Sequence, residues 1–392
     1  MSITLTEDQL DPYVTHEPSR SWLTGPGLPD TSGLLTCAAL RRDGLVRLAD
    51  TLGDFEGRLA KELRDRLVLG ELLTHDGTAA DLILLDGTTG EVSTTCALPD
   101  RPDLMDSEPL APSLRTLTEF ATAVDELADL RGRFADYAHR YGPRAAAEAS
   151  RRLLALFEED PEGGEPAPLW KMAALIRPLA LVAAPGSRSG LALDLPPRLL
   201  DDEFGAGDVV RFEEVDFPAA LTHEPTRRFL REVGLPEDGL WFSLDAEVPL
   251  PTLEEYWADD PRADPLPPGS DRLIRLGYLL EDASLVVDGA TGAVLCWSEA
   301  EETLRPLNAD LSTLAFTLWL VHRERALDAE HDLSYAYEQL ADTMTRTLAA
   351  VDPAACAPSA TGTHPSHDGW PDDGRRYWPT VFDDAAGGGL CA

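Results

Sequence analysis

Apolar residues along the chain recur in three patterns. Leu311, Leu314, Ala315, Leu318 and Val321 follow the 3.6-residue spacing of a helix with one apolar face, and Leu114, Leu117, Ala121 and Val124 do the same. Ahead of each stands the mark of a buried strand: "LILLD" runs into "GTTG" and "LVVD" into "GATG", and Val92 or Val294 then resumes. A buried apolar run, a Gly-rich turn and a β-branched residue predict a hairpin. Further upstream stand "THEPSRSWLTGPGLP" (15–29) and "THEPTRRFLREVGLP" (222–236). Pro in a first helical turn loses no hydrogen bond and has its φ preset, so each block predicts a helix start. Gly27 and Gly234, each followed two residues later by Pro, predict its end. Phe229, Leu230 and Val233 make the apolar face of the second helix, answered by Trp22 and Leu23 in the first. Helix, strands, hairpin and helix predict an α+β fold, a mixed β-sheet flanked by helices.

The same order occurs twice. The T-H-E-P blocks lie at an offset of 207 (222 − 15), which Gly70 and Gly277 keep. The hairpins lie at 202 (288 − 86), and "PLAPSLRTLTEF" and "PLNADLSTLAFT" at 197 (306 − 109). Three blocks in one order, with offsets drifting only through loops, predict an internal duplication. The predicted division is copy 1 over 1–127, a helical connector over 128–188, copy 2 over 189–350, and a loosely ordered C-terminal tail over 351–392. Within that tail "RRYWPTVF" (375–382) is apolar enough to dock back. Copy 2 has a long lead-in, Leu193 to Leu221, with a strand-like "VVRF". In copy 1 the lead-in reads as shortened or missing.

Charge narrows the partners. Seventy acidic residues face 33 basic ones, a formal net charge of −37, so the surface repels nucleic acid and anionic membranes and attracts basic partners. Strong negative charge also serves plain solubility. Five scattered cysteines without C-x-x-C read as free thiols in a reducing cytoplasm, and the start carries no signal-peptide pattern. No apolar run reaches membrane-spanning length.

The His-Glu pairs invite a search for catalysis. H-E-x-x-H fails, because Arg20 and Arg227 stand where the second His is needed. The zinc-deaminase signature lacks both its H-x-E and its P-C-x-x-C. "GTTG" and "GATG" are not phosphate loops, and "GSRSG" is no nucleophile elbow. No catalytic, cofactor-binding or metal-ligating residue is assigned. Instead, acidic residues mix with aromatics in copy 2. Tyr256 and Trp257 lie among Glu254, Glu255, Asp259 and Asp260, and Asp201, Asp202, Glu213 and Glu214 add to them. Aromatic anchors ringed by carboxylates suit a basic protein partner. The competing reading makes Tyr256 and Trp257 core residues of a short helix with the acids as its solvated face.

The motifs of copy 2 are Phe229-Leu230 with Gly234-Leu235-Pro236, Ile274 to Gly277, Asp288 with Gly292 and Val294, and Asn308 with Leu311. Their order resembles the SUKH superfamily, specifically its type-four bacterial immunity proteins. Copy 1 resembles it more faintly, with Ala111 where copy 2 has Asn308. The resemblance implies a non-enzymatic cytoplasmic binding protein that neutralises a cognate polymorphic toxin. It brings no catalytic or contact residue with it. Acidity points to a basic toxin, a nuclease or deaminase. Two alternatives stand beside this reading: a regulatory or scaffold protein with an endogenous partner, and a hydrolase or nucleotide-acting enzyme without a recognised motif. The toxin's identity, the copy that binds it and the oligomeric state are not fixed by the sequence.

Overall fold

The two Gly-rich hairpins lie at the centres of two antiparallel sheets. The structure, a computed structural model, describes residues 2–10, 12–53, 57–159, 166–239, 241–245, 248–258, 266–279, 283–356 and 377–383. The chain divides into two compact units, the first formed by 1–140 and 147–178, the second by 141–146 and 179–392.

Unit 1 begins with β1 (Ser2–Ile3), the Glu17–Thr24 helix and β2 (Leu28–Pro29), with β1 antiparallel to β2. Its main sheet has six strands: β3 (Leu35–Thr36), β4 (Val46–Arg47), β5 (Leu67–Leu73), β6 (Ala79–Leu85), β7 (Val92–Thr95) and β8 (Glu108–Ala111). They run in the order β3-β5-β6-β7-β8, with β4 also on β5. The Leu114–Ala128 helix follows, its first turn capped by Ser113, whose hydroxyl accepts from the Thr116 amide.

Unit 2 adds a small ribbon, β9 (Ala184–Pro185) with β10 (Leu193–Asp194), and the Leu199–Phe204 helix. Then come β11 (Val209–Val210), the Glu224–Glu232 helix and β12 (Leu235–Pro236). Its six-stranded sheet runs in chain order: β13 (Asp238–Gly239), β14 (Phe242–Leu244), β15 (Leu273–Leu279), β16 (Ala283–Asp288), β17 (Val294–Ser298) and β18 (Thr303–Asn308). Helices pack around both sheets, so the α+β expectation holds.

The backbone pairings repeat with the sequence offsets. Thr36 opposes Glu71 as Ser243 opposes Tyr278, and Gly70 opposes Ile83 as Gly277 opposes Leu285. A bulge falls between Val68 and Gly70 in one sheet and between Arg275 and Gly277 in the other; a second falls at Val92/Ser93 and at Val294/Leu295. Gly70 and Gly277 stand at a close backbone approach, where a Cβ would collide with the carbonyl of Thr36 or Ser243. The lead-in of unit 1 is short but holds a strand. Ser2 and Ile3 pair with Pro29 and Leu28 just as Val209 and Val210 pair with Pro236 and Leu235, so a short strand is kept there.

The T-H-E-P blocks tie a helix start to a hairpin turn. The amides of Thr15 and His16 both donate to the Gly87 carbonyl, at 2.7 and 3.0 Å, and those of Thr222 and His223 to the Gly289 carbonyl, at 2.8 Å each. Inside the turns, the carboxylate of Asp86 accepts from the amides of Thr88 and Thr89, and that of Asp288 from Ala290 and Thr291. Gly292 is required twice over: its φ is +79°, and a Cβ would strike the His223 ring.

The long helix of unit 2, Leu311–His331, departs from the one-face expectation. Every residue from Leu311 to Val321 is buried, because the helix is covered on more than the sheet side. The Leu199–Phe204 and Glu224–Glu232 helices and the ribbon strand β10 also pack on it. The Leu114–Ala128 helix keeps the expected alternation, with Arg115 and Ala128 exposed. Further helices follow both: Pro143–Glu158 and Pro168–Ile176, then Tyr337–Val351 and, past residues not described, Tyr377–Asp383. Trp170 and Trp378 are fully buried. No helix among the described residues is long and apolar enough to cross a membrane.

Candidate functional site

The His-Glu pairs serve the scaffold. His16 Nδ1 lies 2.9 Å from Ser19 Oγ, and His223 Nδ1 lies 2.8 Å from Thr226 Oγ1, one turn into each helix. Arg20 and Arg227, at the positions a zinc peptidase would give to its second His, donate back to the carbonyls of Val14 and Leu221. Among the described residues no three His, Cys, Asp or Glu side chains converge as a metal site.

The acidic and aromatic residues singled out from the sequence are spread over three elements of unit 2. Asp201 and Asp202 lie on the Leu199–Phe204 helix, Glu213 and Glu214 on the turn before the Glu224–Glu232 helix, and Glu254 to Trp257 on the Leu253–Trp257 helix. Asp259 and Asp260 lie outside the described residues. Several carboxylates already have partners. Asp201 binds Arg211 at 2.8 Å, and Glu214 holds both Arg227 and Arg231 of the Glu224–Glu232 helix. Glu213 closes a reciprocal cap with Asp216. Asp202 stands 3.5 Å from Arg198, both exposed. Glu255 accepts from the Thr252 amide at 2.9 Å while Thr252 Oγ1 accepts from the Glu255 amide, a second capping box. Glu254 is exposed beside it.

Both readings of the aromatics meet in one place. Trp257 is half-buried and packs on Leu253, Leu273, Val286 and Trp297. Tyr256 turns to a residue that the sequence reading missed. Arg275, from the middle of β15, is completely buried. Its guanidinium carbon lies 3.8 Å from the centroid of the Tyr256 ring and 4.0 Å from that of Tyr278. Nη1 donates to Asp245 at 2.6 Å and Nε to Ser284 Oγ at 3.4 Å, while Nη2 is buried with no hydrogen-bond partner among the described residues. The Tyr256 and Tyr278 hydroxyls are 2.7 Å apart. Burial, with the Tyr278 hydroxyl adding, pushes the Tyr256 phenol up to about 12, so it stays protonated at neutral pH. Tyr278 remains 44% exposed. The only local sign of this arrangement is a charged residue inside the apolar strand "LIRLGYLL".

Of the described thiols, Cys37 is buried, and burial raises it to about 12, far from a nucleophile's range.

Residues 195–384 match the family model of the SUKH-4 immunity protein. That match, over the sheet of unit 2 and its flanking helices, supports the SUKH superfamily and suggests toxin immunity. Neither a curated protein nor a solved structure matches the chain.

Proposed function

We propose that this chain is a non-enzymatic immunity protein that neutralises a cognate polymorphic toxin by binding it in the cytoplasm of the producing cell. The family match over residues 195–384 carries this reading. We further propose that residues 1–127 form a second, diverged SUKH-like copy, joined to copy 2 (189–350) by the helices between. The support is that strand register, both bulges and the helix-to-hairpin tie recur at the sequence offsets. With 70 acidic residues against 33 basic ones, a basic toxin of the nuclease or deaminase kind is the matching partner.

Co-expression with the toxin encoded by the adjacent gene tests this. Protection should be stoichiometric and titrate out as toxin exceeds immunity protein. Complex formation should weaken by about tenfold or more between about 50 mM and about 500 mM salt, as charge-steered association does. Protection by substoichiometric protein would point to an enzyme instead and sink the binding reading.

A further inference from the structure

The sheet face under the Leu253–Trp257 helix has a counterpart in unit 1 under the Leu48–Leu52 helix. The pairing of Arg47 with Leu67 and the bridge between Thr252 and Ile274 bring the two helices into register. In unit 1 that face is an apolar cluster in which Val68, Leu82 and Ala97 pack with Leu48 and Leu52. The equivalent places in unit 2 hold Arg275, Ser284 and Glu299, at offsets of 207 (275 − 68) and 202 (284 − 82, 299 − 97). The position of the exposed Tyr278 is Glu71 in unit 1, and that of Asp245 is Ala38. One unit thus keeps a closed apolar layer where the other has a buried cation, Ser284 donating to Glu299 at 3.3 Å, and two tyrosines.

Stability does not explain the exchange. Apolar residues in place of a buried ion pair are often neutral or stabilising, and unit 1 shows that an apolar solution fits this face. The Arg275 Nη2 group is left unpaired, a further cost. What the guanidinium achieves is to lie against two aromatic rings and hold them in place. A pinned tyrosine offers a rigid apolar face and a polar edge with little entropy left to lose, the chemistry of an interface anchor. The joined hydroxyls retain lone pairs that can accept from an ammonium or guanidinium. The net charge of −37 favours a cationic partner.

We propose that the Tyr256–Tyr278 pair, held by Arg275, is the anchor on which unit 2 docks a Lys or Arg side chain of a basic protein partner. The aliphatic stem lies on Tyr278, and the cationic head meets the tyrosine hydroxyls. This rests on the immunity reading and assigns binding to unit 2, since unit 1 lacks every element of the device.

The test is calorimetric binding of the full chain to the purified, catalytically inactivated product of the adjacent toxin gene. Tyr278→Ala, at an exposed position, should weaken binding about thirtyfold, as loss of a hot-spot tyrosine does. Arg275→Val together with Asp245→Ala installs the unit 1 residues at both positions of the ion pair; it should weaken binding about tenfold while leaving the thermal midpoint unchanged or higher. Glu71→Ala, at the unit 1 counterpart of Tyr278, should bind as wild type. If the wild-type chain binds and Tyr278→Ala binds equally well, the anchor is refuted and the immunity reading stands. If the wild-type chain does not bind, both fall.

Discussion

Where the last strand of each sheet meets the helices that follow, the two units are built differently. In unit 2, Asn308 at the end of β18 is buried at the hub of a polar network. Its Nδ2 donates to Thr317 Oγ1 and to Asp352 Oδ2, each at 3.1 Å, and its Oδ1 accepts from Trp378 Nε1 at 2.9 Å. The Ala309 amide also donates to Asp352, at 2.9 Å. In unit 1 the same strand position is Ala111, and Phe120 stands where Thr317 stands, at an offset of 197 (317 − 120). Trp170 packs there against Phe120 at 4.8 Å between centroids, with Phe157 at 5.2 Å from Phe120, and the Trp170 Nε1 group is buried without a partner. An aromatic cluster supplies buried area but tolerates several arrangements, whereas a satisfied polar network admits one. Unit 2 therefore fixes its C-terminal helix, Tyr377–Asp383, by geometry as well as by area.

The largest effect is expected from giving unit 2 the unit 1 residue. Asn308→Ala removes the two bonds donated by Nδ2 and strands the buried Trp378 indole N–H, while Asp352 keeps the Ala309 amide and Thr317 keeps the Thr313 carbonyl. The stranded indole costs about 1–3 kcal/mol, and the two lost Nδ2 bonds bring the sum to about 3 kcal/mol. Urea unfolding followed by tryptophan emission measures it, and hydrogen exchange should show Tyr377–Asp383 losing protection first. A loss under about 1 kcal/mol would mean that the apolar contacts of Trp378 alone hold the helix.

How much of this could be read beforehand depended on how local the signal was. Helix starts, Gly-rich hairpins and the repeated offsets are written within a dozen residues, through Pro and Gly placement and apolar period, and the fold class followed from them. The all-round burial of Leu311 to Val321 was missed, although that stretch contains no charged residue, because the helical period of its leucines reads equally as one apolar face. The site was less so. Asp201 and Glu214 look like free surface charge until Arg211, Arg227 and Arg231 fold onto them. Arg275 looks like an ordinary outward residue of a strand until Tyr256, from a helix earlier in the chain, and Tyr278 lie over it. Tertiary partners at such separations leave no period to detect.

A second difference between the units lies on the long helices. Glu324 in unit 2 is fully buried, neither carboxyl oxygen has a hydrogen-bond partner, and its unit 1 counterpart is the buried Leu127, at an offset of 197 (324 − 127). Burial pushes Glu324 up to about 8 from an ordinary 4.5; the nearby Asp328 charge adds to this and Arg325 opposes it. Because the folded pKa is raised, the native state keeps a proton that the unfolded chain has lost. The stability of unit 2 should therefore fall as pH rises from about 4.5 to about 8, then level off. Glu324→Leu should remove that slope and stabilise unit 2 by about 2 kcal/mol near pH 9. Urea midpoints at about pH 5 and about pH 9 decide it: a wild-type slope that persists in the variant assigns the titration to another group.

The smallest effect separates the two tryptophans. Trp378→Phe keeps most of the buried aromatic surface but leaves Asn308 Oδ1 without its donor, which should cost about 1–2 kcal/mol. Trp170→Phe removes a donor that has no acceptor to lose, so the cost of the smaller ring is partly offset by relief of a stranded N–H. Its net effect should be under about 1 kcal/mol. The two substitutions are chemically identical and both sites are fully buried, so transfer and cavity terms largely cancel in the difference. What remains is the worth of one buried indole hydrogen bond. If Trp170→Phe proves as costly as Trp378→Phe, the aromatic cluster of unit 1 is packed as uniquely as the network of unit 2, and the contrast between the units is one of chemistry only.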